Sequence, residues 1–536
     1  MLSKSDKNKL RATIFRHLNG IATATTAYTL YKKGVLKYLL EHQSVCLKDI
    51  VKSFDANEGY LNIGLRVLCS QGWLTQHLDN TSDSIRYEIN SKSEQAFQLV
   101  PLYKEAVNFL NFSVKFPLER INNDAFKALA DIFKKYKNSF GLEDINDDTF
   151  QYQILKHIEG VIVAPLIVLL GVHGLFHKYF MEASFSAQEY HSDPENFAIV
   201  LDFLTHLGWF TKKNDTYQFT DSGLFFAKRA SAYGVTVSYL PTFVKLDELL
   251  FGNPLILKTE FPNDTEKHVH REINVWGSGG AHSTYFKVVD KIIIKLFNKP
   301  IEEQPKGNLD MGCGNGAFIQ HAFDVIESRT LRGKMLDEHP LLLVGADFNK
   351  AALKVTRANL IKADIWAKVI WGDIGRPDLL AQDLKEDYNI DLKDLLNVRT
   401  FLDHNRIWES PATETKRISK SSGAYTFKGK RLSNNLVEQS LLEHLNKWKP
   451  YVKKFGLLII ELHTINPKLT SKNLGKTAAT AYDATHGYSD QYILEVDVFN
   501  NIATETGLIP DPNYFTTFPN SELATVSINL LKGHNN

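Results

Sequence analysis

The chain has 536 residues, 43% hydrophobic and 23% charged, with 62 Lys and Arg against 61 Asp and Glu for a formal charge of +1. That is ordinary globular usage, with length for roughly three domains at ~150 residues each, and its balance excludes a general electrostatic attraction for nucleic acid. Three cysteines (Cys46, Cys69, Cys313) and the polar start Ser3-Lys4-Ser5-Asp6-Lys7 lead us to expect a reduced, cytoplasmic protein.

The first half carries an internal repeat. His17-Leu18-Asn19-Gly20 recurs as His157-Ile158-Glu159-Gly160, and Gly34-Val35-Leu36 as Gly174-Leu175-Phe176, both at an offset of 140. Leu68 to Leu74 likewise corresponds to Leu204 to Phe210, and Tyr87-Glu88-Ile89 to Tyr217-Gln218-Phe219. Each copy reads as amphipathic helices, then a Gly-Trp pair (Gly72-Trp73, Gly208-Trp209) that closes a helix and opens a short hairpin. The hairpin turns fall near Asp79-Asn80 and Lys213-Asn214-Asp215. This is a winged-helix pattern, expected over 1–115 and again over 116–245. The candidate recognition helices, Glu58 to Gln71 and Pro194 to Leu207, hold Arg66 and no basic residue respectively, so DNA binding is not expected. The apolar run Gly160 to Leu175 is interrupted by Pro165, Gly171 and His173 and falls short of a membrane span. The paired units resemble the N-terminal domain of bacterial and plant small-molecule methyltransferases. The resemblance implies a unit that dimerises, giving a homodimer, or roofs a substrate pocket.

A connecting helical segment is expected over 246–298. Within it, Ile273 to Phe286 is rich in glycine and aromatic residues and reads either as a stretch entering a pocket or as a helix-start loop capped by Ser278 or Ser283. His268 and His270 share a face only in a strand, and with no third ligand nearby no metal site is expected.

From 299 to 536 the pattern turns to α/β. Leu309 to Ala317 reads as a buried strand breaking into a glycine turn that opens a helix, with the glycines Gly312, Gly314 and Gly316 spaced G-x-G-x-G rather than the dinucleotide G-x-G-x-x-G. Asp310 stands two residues before the first glycine. Leu341 to Asp347 reads as a second parallel strand delivering a carboxylate, with Phe348 beside it, after a charged surface insertion from Glu327 to Pro340. A third strand, Ala367 to Trp371, leads to Gly372-Asp373-Ile374. These features resemble class I S-adenosylmethionine-dependent methyltransferases. The resemblance implies that the glycine turn packs against the methionine end of S-adenosyl-L-methionine, Asp310 orients its amino group, Asp347 holds the ribose, and Asp373 with Ile374 meets the adenine. It also makes Tyr285 and Ser283 candidates for the methionine carboxylate. Cys313 reads as a small turn residue.

Chemistry in such a sheet belongs to loops beyond the carboxyl ends of the later strands. The segment Asp394 to Arg406 holds Asn397 and His404, and the fifth strand, Gly456 to Thr464, places Glu461 and His463 on one side by alternation. Ala481 to Tyr492 then offers His486, Tyr488 and Tyr492 as walls of an acceptor pocket. In the winged-helix O-methyltransferases that the chain resembles this place holds the base histidine, and the segment beginning Asn397-Val398 also resembles the C-methylating domains of polyketide synthases. Both likenesses imply His404 as general base, and the second implies Asn397 at the cofactor and Glu461 as the histidine's partner; Asp403 is a second candidate for orienting it, and His463 and His486 are alternative bases. The polar insertion Asn405 to Asn435 reads as a mobile flap whose Lys and Arg residues are able to meet an acyl carrier protein.

The expected fold is therefore an α/β, Rossmann-like class I methyltransferase domain preceded by two tandem winged-helix-like, mainly helical units. The expected activity is methylation of a small-molecule or carrier-bound, polyketide-like acyl substrate, on carbon after proton removal. The alternatives are O-methylation of a phenolic or carboxylate metabolite and a non-catalytic winged-helix regulator or cofactor-binding protein. Neither nucleic acid nor membrane is expected as a partner.

Overall fold

The computed structural model describes residues 2–116, 119–147, 149–259 and 266–533, without the side chains of 281–283. Two long helices organise its first half. Lys4–Lys33 starts in a capping box between Ser3 and Asp6, and Phe150–Val172 starts on the Thr149 hydroxyl. The helices cross where the repeat places its glycines. A Cβ on Gly20 would stand 2.5 Å from the Cα of His157, and one on Gly160 would stand 2.4 Å from that of His17. The repeated histidines sit at this crossing, each on a tyrosine: His17 Nδ1 with the Tyr233 hydroxyl at 2.9 Å, His157 Nδ1 with that of Tyr103 at 2.7 Å. Phe150–Val172 is longer than the apolar run suggests and, with mean hydropathy 1.9, passes the length and composition test for a span. Ninety-four per cent of its apolar window is buried inside the protein, as the core helix of a packed bundle would be.

The repeat folds twice into the same small sheet. β1 (Ser44–Cys46), β2 (Thr75–Asp79) and β3 (Ser84–Glu88) pair antiparallel in the order β1-β3-β2; β4 (Phe185–Ser186), β5 (Phe210–Lys213) and β6 (Thr216–Phe219) pair as β4-β6-β5. Gly72 and Gly208 end the preceding helices at φ +81° and +79°, which lets Trp73 and Trp209 turn into the core. In the first copy the recognition-helix position, Glu58–Ser70, is buried against the C-terminal half, so it has no free face for a DNA groove.

A single helix, Arg271–Phe297, joins the halves. This corrects the loop reading of Ile273 to Phe286: two of its glycines, Gly277 and Gly280, serve close packing within a helix. A Cβ on Gly277 would meet the backbone of Gly234 and Val235 at 2.5 to 2.8 Å, and one on Gly280 the Ser231 hydroxyl at 2.0 Å. Ser278 bonds the Val275 carbonyl within the helix instead of capping it, and the side chain of Ser283 lies outside the described residues.

The C-terminal half is built on β7 (Gly307–Met311), β8 (Leu342–Asp347), β9 (Lys368–Trp371) and β10 (Leu395–Thr400), then the hairpin β11 (Tyr425–Phe427) and β12 (Lys430–Leu432), then β13 (Leu457–Leu462), β14 (Leu508–Pro510), β15 (Thr516–Phe518) and β16 (Val526–Gly533). Its large sheet runs β14-β16-β13-β10-β7-β8-β9, with β15 beside β16. The five strands from β13 to β9 are parallel and β16 is antiparallel. Runs such as Leu457-Leu458-Ile459-Ile460 are buried on both faces because helices cover both sides. The chain steps outward from β7 to β8 and β9 and returns to the other flank of β7 as β10, a switch point that opens a crevice at the carboxyl ends of β7 and β10. Of the charged stretch Glu327 to Pro340, Arg332 is buried on Gln304 and the Pro305 carbonyl, so the stretch is anchored rather than wholly superficial.

Candidate active site

The glycine turn occupies that crevice. Gly312, Gly314 and Gly316 take φ of +81°, +56° and +80°, a left-handed run that L side chains resist. The Gly312 amide bonds the Ala346 carbonyl at 2.7 Å, and the Gly314 amide donates to Asp347 Oδ2 at 3.0 Å. The other Asp347 oxygen takes the Asn349 amide at 2.8 Å. Asp310, 2% exposed, keeps one oxygen, Oδ1, without a hydrogen-bond partner among the described residues. Burial, and then the neighbouring Asp347, push its carboxyl up to about 7. A buried carboxyl with an unmet oxygen beside a glycine turn fits the ammonium of an amino-acid moiety, whose charge would compensate the carboxylate.

On the next strands, Asp373 accepts the Gly375 amide at 2.7 Å, and the Ile374 carbonyl takes the Trp448 indole at 2.7 Å. Phe348, partly exposed, lies 5.6 Å from the Trp371 ring, whose Nε1 bonds the Phe348 carbonyl. Two cofactor candidates sit elsewhere than expected. Asn397 is near the amino end of β10, its amide on the Leu392 and Leu395 carbonyls, so strand direction carries it away from the crevice. Tyr285 belongs to the helix Arg271–Phe297 and packs edge-on against Phe401 and Phe518, at 5.8 and 5.2 Å. Sequence reasoning missed Arg271, which is paired with Glu266 within electrostatic range of Asp347. Nothing in its local sequence marks it.

Beyond β10, the turn Asp403–Asn405 carries His404, and Glu461 stands next to last in the neighbouring β13. His404 Nδ1 is hydrogen-bonded to Glu461 Oε1, and the His404 amide lies 3.3 Å from Oε2. Since a carboxylate accepts, Nδ1 is the donor, and in the neutral imidazole the lone pair lies on Nε2. Asp403 does not orient His404. It is bonded to Arg399 and, at 3.1 Å, to His444 Nε2; burial opposes its charge, yet Arg399 and His444 hold its carboxyl down at about 2.

His486, in the helix Ala479–Gly487, packs its ring 5.1 Å from that of His404, edge to face. Its Nδ1 is 2.8 Å from the Tyr482 carbonyl and therefore donates, while burial, and then His404, push it down to about 3, leaving it neutral. His463 is corrected as a base. β13 ends at Leu462, and His463 Nδ1 bonds the Leu494 carbonyl at 2.9 Å while Nε2 bonds the Ser527 hydroxyl at 2.7 Å, so both nitrogens are engaged. Tyr488 is bonded to Thr26 at 3.1 Å, and Tyr492 packs on Trp408 and Arg406. The structure adds Tyr239 of the second winged-helix unit, 6.1 Å from the His486 ring and bonded to Gln491. Its separation of 247 positions from His486 hides it from any sequence motif. Among the described residues no three His, Cys, Asp or Glu converge as metal ligands, and His270 is bonded to the Val114 carbonyl.

The insertion Asn405 to Asn435 is also corrected: it is docked, not a free flap. Arg417 pairs with Glu438 and Glu505, Arg431 with Glu58 and Asp83, and Asn80 bonds the carbonyls of Ser419 and Ser421.

Residues 266–529 match the family model of the AprA MT2-like domain, residues 159–253 that of the AprA winged helix domain, and residues 10–76 that of the AprA N-terminal domain. No curated protein matches the chain. Among solved structures it is similar to the mitomycin 7-O-methyltransferase MmcR, at 11% identity over 72% of this chain and 98% of that one, with a TM-score of 0.42. It is also similar to an O-methyltransferase family 2 protein from Planctomyces limnophilus (11%, 97% and 96%, TM-score 0.37) and to the CurJ carbon methyltransferase (12%, 85% and 100%, TM-score 0.32).

Proposed function

From the premise that residues 266–529 form an AprA MT2-like methyltransferase domain behind AprA-type N-terminal and winged helix domains, we propose that the chain uses S-adenosylmethionine to methylate a carbon of an acyl thioester. The observation that carries this reading is the buried contact of His404 with Glu461 at the carboxyl ends of adjacent strands. A carbon acid flanked by carbonyls transfers its proton slowly even where its acidity matches a phenol's, because the carbon must rehybridise, so it gains from a positioned base. Glu461 fixes the His404 tautomer and stabilises the imidazolium that forms, leaving Nε2 to take the proton. His486, held neutral beside it, adds no competing positive charge.

The cofactor, when bound, supplies the electrophilic methyl group. Asp310 would hold its ammonium and Asp347 its ribose hydroxyls, beside the glycine turn. Tyr239 and Tyr482 close the acceptor side and keep water from the nascent carbanion. The acyl group arrives as a small thioester or on a carrier protein.

The test is incubation with S-adenosylmethionine and β-ketoacyl or malonyl-type thioesters, with the methylated atom located by mass spectrometry and NMR. Methyl on carbon is expected. His404→Ala should lower turnover by about 10²- to 10⁴-fold with cofactor affinity retained. Methyl on oxygen, or undiminished turnover in the variant, rejects the reading.

A further inference from the structure

The helix that a DNA-binding winged helix would present to a groove carries one basic residue, Arg66, and it is 1% exposed. Its guanidinium reaches entirely into the C-terminal half. Nε donates to Asp483 Oδ2 at 3.0 Å, Nη2 to Thr464 Oγ1 at 3.0 Å and to the Ile465 carbonyl at 2.9 Å, and Nη1 to the Ser422 carbonyl. Thr464 closes the ring by donating to Asp483 Oδ1 at 2.6 Å.

These partners belong to three separate segments, two of which adjoin a candidate catalytic group. Thr464 and Ile465 follow β13, three and four residues after Glu461. Asp483 lies in the helix Ala479–Gly487, three residues before His486 and next to Tyr482, whose carbonyl holds the His486 ring. Ser422 belongs to the insertion, where its amide and hydroxyl donate to Glu495. Other groups of the first unit grip the same helix: Asn19 bonds the Thr477 carbonyl and the Ala481 amide, and Ser70 and Gln71 both bond Thr480 at 2.8 Å.

The duplicate supplies an internal control. The copies of the Gly-Trp segment are offset by 136, which sets Asp202 opposite Arg66. Asp202 bonds Lys212 and Tyr217 of its own unit. The fold of a winged-helix unit therefore does not require an arginine there; only the copy facing the methyltransferase domain has one. A buried ion pair is a weak source of stability because desolvating both charges offsets their attraction. A four-bond guanidinium, by contrast, fixes relative placement.

We propose that Arg66 is a positioning residue for methyl transfer, setting the His486 helix and the end of β13 at the separation that His404 and Glu461 require. The first winged-helix unit is then part of the catalytic apparatus and not only its support. This inference rests on the methyltransferase reading.

The test is made in the full chain with Arg66→Lys, which keeps the charge and loses the fork, and with Thr464→Val, which removes one bond at constant volume. We expect both to bind S-adenosylmethionine as the parent does, with kcat lower by about 10- to 100-fold in Arg66→Lys and by a smaller factor in Thr464→Val. In a Glu461→Gln background Arg66→Lys should cost little further, since both act through one arrangement. NMR of ¹³C-labelled histidine, assigned with His404→Gln and His486→Gln, should show the resonances of both imidazoles displaced in the two variants. Unchanged kcat with unchanged imidazole resonances in whichever variants fold overturns the proposal, as does an equal, additive loss in the Glu461→Gln background. Should the parent transfer no methyl to any acyl thioester, the functional reading fails on its own, and the imidazole resonances alone decide the role of Arg66.

Discussion

Asp310 and Glu461 both end buried strands, and their neighbours give them different work. Glu461 is engaged by His404 and by its own neighbouring amides, whereas Asp310 keeps an unmet oxygen and a carboxyl raised to about 7. With a folded-state value above the ordinary 3.8, Asp310 costs stability that is absent in acid, sets in as pH rises from about 4, and is complete above about 7. Asp310→Asn should therefore melt higher than the parent at pH 8, with the gap closing near pH 4, while its affinity for S-adenosylmethionine falls; calorimetric melts and titrations at both pH values check this. In the parent, that affinity should rise as pH climbs through 7. At this scale the glycine turn and the acids ending three strands were legible because backbone conformation and strand direction demand those residue types locally. His463 was misread because alternation places a side chain only while the strand lasts, and β13 stops one residue earlier.

Helices show what glycine in a sequence leaves open. Gly277 and Gly280 belong to a segment that reads as a pocket stretch or a helix-start loop, yet they let the helix Arg271–Phe297 approach Gly234 and Ser231. The periodicity that would reveal that helix is diluted by residues selected for smallness. Gly20 and Gly160 were legible only as a repeat, and the structure gives the reason for their recurrence. Gly160→Ala would set a methyl 2.4 Å from the His17 backbone and should destabilise by about 1–3 kcal/mol or more, read as a lower denaturant midpoint. Gly279 is the contrast: a Cβ there meets nothing within 4 Å among the described residues, so Gly279→Ala should stabilise by about 0.5–1 kcal/mol.

Across the whole molecule, the halves share buried polar contacts through Arg66, Asn19 and Thr26 and a half-buried one through Arg431. Opening either half would strand these groups without partners, so calorimetry should show one cooperative transition with equal calorimetric and van't Hoff enthalpies; two resolved peaks would contradict it. Such contacts span 300 or more positions, which is why Asn405 to Asn435 looked like a free loop in sequence while its anchors Glu58, Asn80 and Asp83 lay far upstream. The crossing of the first and second copies has a consequence for descent. Each central glycine exists to accommodate the other copy's histidine backbone, so neither copy is free to acquire a side chain there while its twin is unchanged. Gly20 and Gly160 are thus mutually locked, whereas away from the crossing the copies differ freely, as at Arg66 and Asp202.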